Sequence, residues 1–190
     1  KIFQIKRRPK KNPLIIHYYR LKDAKKDVVL NRNFYKIYKK FSPGPITYIL
    51  NKKKNSRIKS LACANLNTVG VRFPKNIIIK KILKKLNFPL AMPSANISSG
   101  VSPVKPSDVS EEFNNKVKVL DGGNSKIGIE STVINLVGKT SILRPGVITP
   151  KQLEKVLKKK IKISSKHKTI KSPGSLKKHY SPGLPIYLNS

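Results

Sequence analysis

The side chains in this sequence that could do chemistry are cations and hydroxyls gathered in a few short segments. Lys6 and Arg8 stand in KRRPKKNPLIIH, between a helical end and a strand that runs to His17. Two cations so placed can bracket a phosphate chain or a carboxylate. A basic turn explains the same text. Thr68 and Arg72 lie in NTVGVRFP, and on a strand their spacing puts a hydroxyl and a guanidinium on one face. An edge-strand surface explains that pair equally well. Ser94, Asn96 and Ser102 occupy LAMPSANISSGVSP (90–103), which carries no charge in a chain of formal net charge +34. Small side chains let backbone N–H groups approach an anion there, and hydroxyls can donate to phosphate oxygens. The GxxxxGK[ST] spacing of a P-loop is absent. In DGGNSKIGIESTVINLVGKTSILRPG, Ser131 and Thr132 open one strand and Arg144 ends another before Pro-Gly. A fifth segment, FSPGPIT, reads as a rigid turn without chemistry.

The acids limit the mechanism. Of eight acidic residues only Asp121 and Glu130 lie in these segments, which disfavours paired-carboxylate hydrolysis and a protein-held pair of metal ions. No Ser-His-Asp spacing is present. The single cysteine, Cys63, rules out an internal disulfide framework and a cysteine-built zinc site. Three scattered histidines, at 17, 167 and 179, argue against a dedicated transition-metal site. Cations and hydroxyls remain. They suit stabilisation of a nucleotide's phosphates during nucleophilic attack, with any Mg²⁺ arriving on the nucleotide.

Forty-two basic residues would ordinarily indicate a polyanionic partner. Only seven of them are Arg, however, and Lys, Asn and Ile are abundant together, the signature of a low-GC coding bias. Stretches such as KKILKKL and EKVLKKK then read as solvated faces. The bias makes the arginines informative, because Lys is a poor substitute where a planar, bidentate cation is required. Arg8, Arg72 and Arg144 are the first candidates for anion contacts.

The elements that must position these residues alternate short apolar runs with amphipathic ones. Segments 13–19, 46–50, 68–73, 117–121, 131–137 and 141–144 read as strands, rich in β-branched residues and bounded by turn signals. Residues 76–87 read as a helix with Ile78, Ile82 and Leu86 on one face. Thr149-Pro150-Lys151-Gln152 has the capping-box form and starts a helix through Leu157. Residues 31–40 and 107–113 give weaker helical patterns. At 190 residues, 38% of them hydrophobic, the chain suits one mixed α/β domain built on one twisted sheet. No apolar run reaches the roughly eighteen residues of a membrane span, and the first residues lack signal-peptide form. A soluble, cytoplasmic protein is expected. After Leu157 the text turns basic and rich in Ser, Pro and Gly, and reads as a linker.

Together the segments resemble the YrdC-like family, the threonylcarbamoyl-AMP synthases. KRRPKKNPLIIH, FSPGPIT, TVGVRFP, PSAN and GIESTV…LRPG match the family's text in order and spacing over residues 1 to 158. The resemblance implies a YrdC-like twisted open sheet flanked by helices (mixed α+β). It implies a reaction in which L-threonine, bicarbonate and ATP give threonylcarbamoyl-adenylate and pyrophosphate. The product would pass to the tRNA threonylcarbamoyl-transfer machinery. On the same basis Lys6 and Arg8 line the phosphate and carboxylate region as catalytic residues. Arg8, Asn12, Thr68, Ser94, Asn96, Ser102 and Arg144 contact ATP. His17, Arg72 and Ser131 contact threonine, with the backbone around Met92 bordering its pocket.

SPGSLKKHYSPGLPIYL resembles the linker of the two-domain members, whose HY pair folds over the site, so His179 or Tyr180 is expected to touch the nucleotide. This divides the chain into a catalytic domain (1–158), an interdomain linker (159–185) and the start of a second domain (186–190). The family's TETVYGLG strand is expected before Lys1. Ser42 stands where an aromatic is frequent, and Lys11 where an acid often sits. Two other functions fit parts of the text: a YrdC-like RNA-binding module in RNA or ribosome maturation, and a carbamoyl-adenylate-forming domain of a larger carbamoyltransferase. The HY segment argues against the second.

Overall fold

A computed structural model describes residues 1–164. They fall into two compact units. The described part of the larger unit comprises residues 10–93 and 127–164, and that of the smaller comprises residues 1–9 and 94–126.

The described part of the larger unit is built on a seven-stranded mixed sheet. In chain order its strands are β1 (Ile15–His17), β2 (Ile46–Asn51), β3 (Thr68–Arg72), β4 (Leu90–Ala91), β5 (Thr132–Asn135), β6 (Ser141–Arg144) and β7 (Lys162–Ile163). The spatial order is β4-β1-β3-β2-β5-β6-β7, so β3, expected as a possible edge, lies inside the sheet. β1 runs parallel to β3, and β2 parallel to β5; β2–β3 and β5–β6 are antiparallel.

One face of the sheet carries the apolar core. Tyr48 and Leu50 of β2, Val69 and Val71 of β3, Ile134 of β5 and Ile142 of β6 alternate onto it with Ile16, Tyr18 and Phe73. Helices cover that face because their apolar residues recur at helical spacing. Phe34 and Ile37 come from one helix (Arg32–Phe41), and Leu153 and Leu157 from another (Pro150–Leu157). The Phe34 ring meets Tyr48 edge-on at 4.8 Å, and Tyr38 meets Phe73 at 4.9 Å. Both helices begin with side-chain caps. Asn31 Oδ1 accepts from the Phe34 amide at 2.9 Å, and Thr149 and Gln152 form the reciprocal capping box read from sequence. The helix Ile77–Lys85 begins likewise, with Asn76 Oδ1 accepting from the Ile78 and Ile79 amides.

Three sequence expectations change, and one segment without a sequence assignment takes a definite form. Residues 117–121 pair with no strand among the described residues, where their alternation is not that of a sheet element. The strand expected over 13–19 is confined to Ile15–His17. The polar stretch Leu21–Asp27 is a helix. Residues 162–163, assigned to the linker from composition, form β7 and extend the sheet beside β6. A two-residue strand is too short to show a period.

Asp27 closes the Leu21–Asp27 helix with its carboxylate buried. It accepts from the Tyr18 hydroxyl at 2.8 Å and from Arg57 through the backbone amide at 2.9 Å, Nε at 3.1 Å and Nη2 at 2.6 Å. Burial alone would raise this carboxyl's pKa, but the Arg57 and Tyr18 donors outweigh it and leave the group below its ordinary value. Two close backbone approaches fix the loops at the sheet's end. A Cβ on Gly146 would lie 2.5 Å from the Thr132 amide nitrogen and 2.6 Å from the Glu130 oxygen, and one on Gly44 would lie 2.4 Å from the Phe41 oxygen. Thr132 Oγ1 also donates to the Ile148 carbonyl at 2.9 Å and accepts from its amide at 3.0 Å.

Two outcomes are expected in denaturant unfolding. Asp27→Asn should cost about 2 kcal/mol at neutral pH. Because the folded carboxyl titrates below the unfolded one, the wild-type contribution is present above pH about 4 and lost as pH falls further, so the variant should show a smaller acid-dependent loss. Gly146→Ala should cost about 3 kcal/mol through backbone displacement, whereas Gly128→Ala, whose new Cβ would meet nothing within 4 Å, should change stability by under about 0.5 kcal/mol.

Candidate functional site

In the larger unit, strand register collects polar side chains on the face opposite the core. His17 of β1 pairs with Arg72 of β3, so the two share a face on adjacent strands about 4.8 Å apart. The β2–β3 register, which pairs Tyr48 with Val71, places Thr47 beside Arg72 on that same face. Thr47 in turn pairs with Val133 of β5, and Ser131, two residues earlier, faces the same way. The β5–β6 pairing shifts by one residue between Val133↔Arg144 and Ile134↔Ile142. That irregularity turns Arg144 onto the polar face while Ile142 stays in the core. His17, Arg72, Thr47, Ser131 and Arg144 thereby form one row across four neighbouring strands and the residue that leads into β5.

The row has a definite polarity. Arg144 Nε and Nη2 donate to the Ser131 carbonyl at 3.1 and 2.8 Å, and Nη2 also reaches Ser131 Oγ at 3.0 Å. Its Nη1 donates to Glu130 Oε2, a charge pairing that the sequence reading did not foresee. Ser131 Oγ lies 2.9 Å from Thr47 Oγ1, and both residues are buried. Arg72 is different. Its Nε is buried with no hydrogen-bond partner among the described residues. Desolvation, followed by repulsion from Arg144, lowers its pKa, with Glu130 opposing. Burial and then the Arg72 charge push the His17 pKa down to about 3, against the smaller opposing effect of the Ile15 and Leu90 carbonyls. The imidazole is therefore neutral near pH 7, and its Nδ1 donates to the Ile15 carbonyl at 3.1 Å. A half-buried guanidinium with an unfilled donor beside a neutral imidazole can receive a carboxylate or a related anion.

The other expected residues of this unit stand apart from the row. Thr68 opens β3 on the same face as Arg72 but about 13 Å along the strand. The Met92 amide donates to the Ile15 carbonyl at 3.0 Å, which extends the β1–β4 pairing just past β4. Asn12 is buried ahead of β1. Thr47 is the member that the sequence alone does not reveal: residues 46–50 read as a strand, but only the register across β2 shows that this threonine faces Ser131.

The smaller unit arranges Lys6, Ser94 and Asn96. Lys6 follows the short helix Ile2–Ile5, and its buried ammonium donates to the Ser94 carbonyl at 2.7 Å and to the Asn96 carbonyl. The Ser98 amide returns a bond to the Lys6 carbonyl at 2.8 Å. Asn96 Nδ2 closes the loop on the Ile97 and Gly100 carbonyls at 2.7 and 3.0 Å, while its buried Oδ1 has no partner among the described residues. Glu112, from the helix Pro106–Glu112, accepts from the Ile97 amide at 2.8 Å. The uncharged loop is thus wound around one lysine. Arg8 and Ser102 belong to this unit as well, each already engaged in interactions of its own. His179 and Tyr180 lie outside the described residues. Among the described residues, no group of three His, Cys, Asp or Glu could hold a metal ion, and no helix is long and apolar enough to cross a membrane.

Comparison with known proteins places this geometry. A family model that joins Sua5, YciO and YrdC proteins, described as "Telomere recombination", matches residues 1–146. A second, described as "Threonylcarbamoyl-AMP synthase, C-terminal domain", matches residues 148–190. The threonylcarbamoyl-AMP synthase of Pyrococcus abyssi is 36% identical over 196 residues, covering 98% of this chain and 56% of the relative. That of Bacillus subtilis is 32% identical over 193 residues, covering 98% and 55%. The crystal structure of P. abyssi Sua5 complexed with L-threonine superposes with a TM-score of 0.88 at 35% identity, covering 95% of this chain and 54% of that one. The chain spans about half the length of the curated relatives it matches. By sequence over nearly its whole length, and by fold, the chain belongs to the YrdC-like threonylcarbamoyl-AMP synthase family.

Proposed function

We propose that this chain carries the catalytic unit of an L-threonylcarbamoyladenylate synthase, a cytoplasmic enzyme that supplies tRNA threonylcarbamoyladenosine formation. The observation that carries the proposal is the polar row, where the unfilled Arg72 donor stands beside neutral His17. It suits the carboxylate of an amino acid, and a relative with the same fold was crystallised with L-threonine. In this reading His17, Arg72 and Ser131, with the backbone around Met92, hold threonine. Asn12, Thr68, Ser94, Asn96, Ser102 and Arg144 serve ATP, together with His179 or Tyr180. Lys6 and Arg8 act toward phosphate and carboxylate oxygens.

The chemistry balances without a further reactant. Bicarbonate takes up a proton and releases CO₂ and water; the threonine amine adds to that CO₂ and loses a proton, giving a carbamate. A carbamate oxygen then attacks the α-phosphorus, and the bond to the β-phosphate bridging oxygen breaks to release pyrophosphate. Charge builds on phosphate oxygens as this occurs, and fixed cations and amide donors favour it. Mg²⁺, in this reading, arrives on the triphosphate and neutralises its charge. The neutral imidazole of His17 adds no second cation beside Arg72, so the threonine amine meets one positive charge there and not two.

Two experiments test the reading. A full-length protein should release pyrophosphate from ATP only when L-threonine and bicarbonate are both present. Threonine-independent release, or none, would overturn the enzyme reading, and no release alongside tight, RNA-selective binding that falls steeply with salt would favour the RNA-binding alternative. The second experiment follows His17 by NMR titration. Arg72→Gln should raise its pKa from about 3 toward the ordinary 6.5, with burial keeping it below that value. His17 supports folding fully above pH about 6.5 and loses that support as pH falls toward 3, so the variant should also narrow this acid-sensitive window. An unshifted titration would show that the two groups do not interact.

A further inference from the structure

We propose that Thr47 is a positioning residue that fixes which way the Ser131 hydroxyl points, making Ser131 an obligate donor to the bound ligand. Thr47 is fully buried, and its hydroxyl has one hydrogen-bond contact among the described residues, Ser131 Oγ at 2.9 Å. Either hydroxyl could donate across this contact, and one of the two protons is left over in both cases. We assign the leftover proton to Ser131, which keeps 3% exposure where Thr47 has none, so that Thr47 is the donor. Ser131 Oγ also accepts from Arg144 Nη2 at 3.0 Å. A hydroxyl oxygen has two acceptor positions and one proton. Both acceptor positions are therefore filled by protein donors, and the Ser131 proton is left without a protein acceptor among the described residues. Together with Arg72 Nε it is the second unfilled donor in the row. Two donors on this part of the face favour an acceptor-rich group, such as a carboxylate or carbamate, over an ammonium.

The inference rests on the proposed threonine-binding role of Ser131, and it adds a residue from β2 that makes no ligand contact itself. Thr47→Val keeps the shape but removes the proton that Ser131 accepts. Ser131 can then turn to accept from a ligand, and its donor is no longer fixed. Thr47→Ser keeps that proton.

The test uses full-length protein, with KM measured separately for L-threonine and ATP. Thr47→Val should raise KM for L-threonine about tenfold with KM for ATP within twofold. Thr47→Ser should restore the wild-type value. In the background of Ser131→Ala, adding Thr47→Val should change KM for threonine by less than twofold, since the effect passes through Ser131. Equal changes for both substrates, failure of Thr47→Ser to rescue, or an additive double variant would overturn the role of Thr47 alone. A wild type that neither binds nor turns over L-threonine would overturn the threonine reading and this inference with it.

Discussion

Everything in the polar row depends on the two-residue alternation of a pleated strand. Once β1, β3, β2 and β5 are in register, each side chain is committed to the core or to the opposite face, and no local adjustment can move it across. His17, Arg72, Thr47 and Ser131 share their face for that reason. Arg144 would break the pattern, because Ile142, two residues away on β6, belongs to the core. The single shift in pairing beside Val133 resolves this conflict. The arginine gains a place among polar neighbours at the expense of one irregular rung in the ladder.

Electrostatics in the row follow from that packing. Two guanidiniums on one buried face repel, and the structure answers them differently. Arg144 is neutralised by Glu130 and spends its donors on Ser131, so it acts first as a brace. Arg72 keeps an unfilled donor and weakens its own hold on a proton. His17 gives up its charge altogether. Among the described residues Arg72 is the cation of this face that keeps an unfilled donor, which suits a singly charged carboxylate better than a cluster of free cations would. In the smaller unit the ammonium of Lys6 is likewise engaged, holding the backbone of the Ser94–Asn96 turn.

How much of this could be read from the residues depends on whether the signal is local. Capping at Thr149 and Gln152, the apolar spacing of the Ile77–Lys85 helix and the strands around Thr68 and Ser131 all rest on near neighbours, and all were legible. The excess of Lys over Arg draws attention to Arg72 and Arg144, and strand register sets both on the polar face. Thr47 was not legible, since its meaning comes from Ser131, eighty-four residues away. Nor was β7, which exists only because β6 offers an edge. Residues 117–121 show the reverse error: they alternate like a strand but find no partner strand among the described residues. Asn96, expected at a nucleotide, spends its amide donors on its own loop, a use that its sequence neighbours did not reveal.

The bare backbone at Gly44 and Gly146 has an evolutionary corollary. At these places the sheet's end is sealed by main chain pressed on main chain, with no side chain in the joint. Such a joint is indifferent to what coats the outer surface. Exposed residues can therefore be replaced with lysine at little cost to these joints, whereas an added Cβ at either glycine would collide with main chain. About a third of positions are shared with an archaeal relative, yet the fold superposes closely.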